Sequence, residues 1–79
     1  MIDSITKERI VVYTEGTGGP YIMVANDQLN SVVEALRQHR VAYWVDDDAI
    51  SLDGDPAVAV VNFSRGTDVS AAQRILDAI

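Results

Sequence analysis

Cysteine is absent from this chain. That excludes disulfide bonds, thiol nucleophiles and cysteine-ligated zinc together, and it fits a reducing compartment. Long apolar runs are missing too. The longest, YIMVA, VAYWV and AVAVV, are five residues each, against the roughly 20 that a membrane-spanning helix needs. The opening residues MIDSITKER are polar in character and do not resemble a secretory signal. A soluble, cytoplasmic protein with no membrane partner is the expectation. Basic residues are scarce: six Lys and Arg face twelve Asp and Glu, for a net charge of −6. Such a field repels a phosphate backbone. The single basic cluster, Arg37, His39 and Arg40, does not offset it, so no nucleic-acid partner is expected.

What is present is globular. Of 79 residues, 48% are hydrophobic and 23% charged, a composition that folds rather than staying disordered. The length specifies one domain, 1–79, with a thin stability margin. Residues 1–8 read as a loosely ordered N-terminal segment. Ile10–Thr14 (IVVYT) and Tyr21–Val24 (YIMV) are strand-like, joined by the glycine loop Gly16–Gly19 as a hairpin, with Pro20 at a strand start. Asn26 or Asp27 is placed to cap a helix running to His39, with Leu29, Val32, Val33 and Leu36 on its apolar stripe. Val41–Val45, Ala49–Leu52 and Ala57–Phe63 read as further strands, antiparallel because the gaps between them are short. Thr67 or Asp68 caps a second helix to about Ala78, with Val69, Ala72, Leu76 and Ile79 on its stripe.

This order, β-β-α-β-β-β-α, predicts an α+β fold. It would be a two-layer sandwich, a mostly antiparallel sheet of four to five strands with both helices on one face. At the level of element order it resembles ferredoxin-like architecture, a likeness that carries no function. Neither face of the sheet is clearly polar on strand periodicity. One face must meet the helices, and the other is left with apolar and aromatic side chains. Tyr13, Tyr43, Trp44 and Phe63 are therefore candidates for an interface.

No catalytic constellation emerges. Asp46, Asp47, Asp48, Asp53 and Asp55 crowd one stretch, but no register through them places oxygens and glycine as a calcium loop of the EF-hand type requires. A four-residue strand between the two acidic turns would hold them more than about 10 Å apart, at opposite ends of the sheet. The same separation defeats a facing pair of carboxylates for acid/base work. His39, the sole histidine, sits among basic neighbours at a helix end, where positive charge suits the macrodipole. Gly16-Thr17-Gly18-Gly19 lacks both phosphate-loop patterns, since no GK[ST] follows and position 21 is Tyr. No metal or other cofactor is expected.

Ser64, Arg65, Gly66 and Thr67 form the best ligand candidate. They end a strand and begin a helix, where free N–H groups, hydroxyls and a guanidinium favour an anion. The carboxylate of Asp68 competes for the same cap. Two readings follow. The first is a small non-catalytic protein–protein interaction module, self-associating as a homodimer through the sheet face or an edge strand. The second is a small-ligand or anion-binding domain using the Arg65–Asp68 helix start.

Overall fold

The computed structural model describes residues 1–14, 19–46 and 58–79. Within them the fold is α+β, a three-stranded antiparallel sheet with two helices. The central strand is β3 (Val58–Phe63), whose VAVVNF run is the longest β-favouring stretch of the three. On one side it pairs with β1 (Tyr21–Ala25), Ile22 against Val61 and Val24 against Ala59. On the other it pairs with β2 (Tyr43–Val45), Tyr43 against Phe63 and Val45 against Val61.

The period of two sorts the side chains. Ile22, Val24, Ala59, Val61 and Phe63 all point to one face and are buried. Helix α1 (Leu29–Gln38) contributes Val32 and Leu36 to that face, and α2 (Val69–Asp77) contributes Ala72 and Leu76. Most of each stripe read at 3.6-residue spacing is thus the surface the helix buries, with Leu29, Val69 and Ile75 packed at the margin, but Ile79 stays exposed and Val33 lies outside the core cluster. Among the described residues, no helix is long and apolar enough to cross a membrane.

The expected four to five strands and ferredoxin-like layout are not confirmed; the sheet of the described residues has three. Ala49–Leu52 lies outside the described residues, as do Gly16–Gly18 and the turns at Asp47–Asp48 and Asp53–Asp55. Ile10–Thr14 is described, yet it joins β1 by a single bridge, Tyr13 to Tyr21. Side-chain competition explains this. Gln73 of α2 reaches the segment with both ends of its amide: Oε1 accepts from the Val12 N–H at 3.0 Å and Nε2 donates to the Ile10 carbonyl at 3.0 Å. Ile10 and Val12 are thereby drawn into the core under the helix, and the segment leaves the ladder after one pair.

The helix starts also differ from one another. Asp68 caps α2, its Oδ1 accepting from the Ala71 N–H at 3.1 Å. Asn26 and Asp27 do not cap α1 with their side chains. They lie in a 3₁₀ turn (Asn26–Gln28), and the residue before α1 makes no capping bond. Asp27 instead accepts from Ser4 Oγ, and Gln28 accepts from the Ser4 N–H and donates to the Ile2 carbonyl. These side chains are committed to residues 1–8.

Helix α1 ends in a Schellman arrangement: the Val41 N–H bonds to the Leu36 carbonyl and the Arg40 N–H to that of Arg37. Arg40 holds the left-handed position, φ 56°, that glycine usually takes. Gly19, at φ 92°, does use glycine, and a Cβ there would lie 3.2 Å from the Phe63 carbonyl oxygen.

Truncating Leu36 to Ala leaves a cavity in the only described core and is expected to cost about 3 kcal/mol in chemical denaturation. Arg40→Gly should do the opposite. Relief of the left-handed strain, less the extra entropy of an unfolded glycine, is expected to raise stability by about 0.5–1 kcal/mol in the same measurement.

Candidate interaction surface

The face of the sheet away from the helices is built from the alternate positions of the same strands. Tyr21 of β1 and Trp44 of β2 both register against Asn62 of β3, one from each side. The bridge from Tyr21 to Tyr13 extends that line by one residue. A row Tyr13–Tyr21–Asn62–Trp44 therefore runs across the sheet, perpendicular to the strands. The Tyr13 and Tyr21 rings stack with centroids 5.3 Å apart and planes 28° from parallel, a favourable offset contact. Below this row lie Met23 and Val60, in register with each other. The large side chains here stay exposed: Trp44 at 50%, Tyr13 at 45%, Val11 at 44% and Met23 at 42%.

A cavity of about 180 Å³ opens at the β1 edge of this face. Its apolar walls are Ile5, Val11, Tyr13, Met23 and Val58, and Asp3, Glu8 and Arg9 bring charge to it. The cavity follows from the splaying described above. Once the segment leaves the ladder after Tyr13, no backbone hydrogen bond joins Val11 to Met23, and a gap opens between them. Residues 1–9 close its far side. Ile2 bridges to Arg9, the Asp3 N–H bonds to the Glu8 carbonyl, and Asp3 Oδ1 accepts from the Ile5 and Thr6 N–H groups. Lys7 takes a left-handed conformation, φ 63°, at the tip of that turn.

Arg9 anchors the turn to α2 through a two-pronged contact with Asp77, Nε to Oδ1 at 2.9 Å and Nη2 to Oδ2 at 2.6 Å. Gln73 adds a third bond to the same carboxylate. The hydrogen bond from Arg9 is the main cause that holds the Asp77 carboxyl at about 2, below its ordinary 3.8, with partial desolvation opposing it. The Arg9 guanidinium is raised in turn.

The structure separates the residues singled out in the sequence. Tyr13 and Trp44 lie on the open face. Tyr43 and Phe63 do not, because each falls on the alternate position: Phe63 is fully buried in the core, and Tyr43 is half-buried with its hydroxyl accepting from Arg37 Nε at 3.0 Å. Tyr21 and Met23 take their place. Their signal is the alternation in YIMVA, which becomes readable once Ile22 and Val24 are known to face the helices.

At the α2 start, Asp68 fills the cap. The Ser64 and Thr67 hydroxyls bond to each other at 2.9 Å, Gly66 is exposed, and the Arg65 stem lies beside Gly19. His39 is exposed at the end of α1 and makes no side-chain hydrogen bond among the described residues. No group of three His, Asp or Glu among the described residues could hold a metal ion. No protein-family model, curated protein or solved structure matches this chain.

Because Asp77 is depressed in the folded state, its contribution is fully present above the unfolded value near 3.8 and is lost as pH falls toward about 2. Acid titration of stability should therefore show a loss between about pH 4 and 2 that Asp77→Asn removes. An unchanged acid limb in that variant would show that the Arg9 contact does not contribute.

Proposed function

We propose that this protein is a small non-catalytic protein-interaction module that binds through the open face of its sheet. The observation that carries this reading is the row Tyr13–Tyr21–Asn62–Trp44 on the face the helices leave bare, in which Tyr13 and Trp44 are exposed and Tyr21 and Asn62 half-buried, with exposed Met23 and Val11 beside it. Aromatic residues and methionine are the side chains that interface centres favour, and Trp and Tyr dominate binding hot spots. A contiguous apolar patch that folding leaves uncovered is a standing cost that a partner removes. The free edge of β2 is the weaker route, because three residues offer few backbone groups for pairing. The absence of cysteine fits a reducing, cytoplasmic setting for such a module.

Pairing of two copies through the same face is the first form to measure. Each copy carries −6, so like-charge repulsion opposes it in dilute buffer and salt screens that repulsion. Trp44 is the only tryptophan, so its emission reports directly on whether the face is covered. In about 1 M salt, sedimentation should show mass rising with concentration while the emission shifts to the blue. Met23→Ser should abolish both changes, and Trp44→Ser, which removes the emission itself, should abolish the rise in mass. A monomer at every concentration and salt, with constant emission, would remove self-association from the proposal.

A further inference from the structure

We infer that the occupant of the open face is an extended, basic segment of a partner protein, with an Arg or Lys side chain seated in the cavity beside Glu8. This rests on reading the open face as an interface, and it adds the partner's chemistry. The cavity joins two environments that a long cationic side chain combines. Ile5, Val11, Met23 and Val58 are apolar walls for its methylene stem, the Tyr13 ring stands at the border with the aromatic row, and Asp3 and Glu8 supply negative charge. A volume of about 180 Å³ accommodates one such side chain, not a folded element.

The charges around the cavity do not cancel internally. Arg9, the one cation lining it among the described residues, is committed to Asp77. Asp3 keeps its carboxylate on the turn, where one oxygen accepts from two backbone N–H groups. Glu8 is exposed, and its carboxylate has no partner among the described residues. Lys7 sits on the same turn but does not line the cavity. Asp46, next along β2 from Val45 and bonded through its N–H to the Val60 carbonyl, adds an acid at the opposite edge of the face. A net charge of −6 extends the same sign over the whole chain.

Charge complementarity therefore selects against a second copy as the cavity's occupant, since it would bring the same sign to the same place. It selects for a cationic chain. An extended one fits the geometry. From the cavity at Met23 to Trp44 the face spans three strands, about 10 Å at sheet spacing, which a few extended residues cross. Tyr13, Tyr21 and Trp44 along that path offer ring faces to further Arg or Lys side chains.

The test uses the full chain with a labelled peptide of about ten residues that alternates Arg with Val, and a control in which every Arg is Gln. Binding is followed by anisotropy and by amide shifts. The Arg peptide should bind, shift Val11, Met23 and Trp44, and weaken at least tenfold between about 50 and 500 mM salt. Glu8→Gln, at an exposed side chain with no structural bond, should weaken it about three- to tenfold, and Trp44→Ser should weaken it more. Equal binding of the Gln control, still lost in Trp44→Ser, would keep the face as an interface and overturn the basic partner. Arg-peptide binding unchanged by Glu8→Gln and Met23→Ser would place the peptide elsewhere and overturn the site. No binding of either peptide would also overturn it, while the high-salt self-association measurement separately decides whether the face associates at all.

Discussion

The burial of Val61 and Phe63 on the central strand is the interaction on which the rest of this structure depends. β3 is flanked on both sides: Val61 registers against Ile22 of β1 and Val45 of β2, Phe63 against Tyr43, and both share one core with Val24 and with Val32, Leu36, Ala72 and Leu76 of the helices. In a chain this short, without a disulfide, one contiguous core must supply nearly all of the favourable free energy. Everything else is placed relative to it. The alternation that sends Val61 and Phe63 inward also sends Val60 and Asn62 outward, and thereby creates the open face.

The N-terminal third shows how one polar side chain redirects a strand. Ile10–Thr14 has the composition of a strand and begins as one at Tyr13. Gln73 then offers a donor and an acceptor spaced like those of a neighbouring strand. Those bonds satisfy the Ile10 carbonyl and the Val12 N–H, which would otherwise lack partners beneath a helix. The cavity beside Met23 is thus a consequence of polar satisfaction under α2, and Arg9–Asp77 fixes the turn that walls it.

Charge and apolarity occupy different parts of the proposed interface. The aromatic row presents large rigid side chains at small entropic cost, while uncompensated acids sit around it. In the proposed complex, contacts of the first kind would supply affinity, and the field of the second kind would steer and select.

Much of this protein could be read from its residues alone. The two helices followed from 3.6-residue stripes, and the α2 cap from the type and place of Thr67 and Asp68, of which Asp68 makes the bond. Local patterns suffice there because each depends on neighbours within one or two turns of chain. The capping of α1, the pairing of Ile10–Thr14 and the membership of the aromatic row did not follow. Asp27 and Gln28 are drawn away by Ser4 and Ile2, and Gln73 reaches Ile10 and Val12 from more than 60 residues along the chain. Both sheet faces are apolar in sequence, so which one the helices cover was decided only when tertiary packing buried Phe63 and set Tyr43 at the core's margin. That same packing left Tyr21 and Trp44 out, because a period-two pattern orders side chains onto faces without saying which face a distant helix will choose.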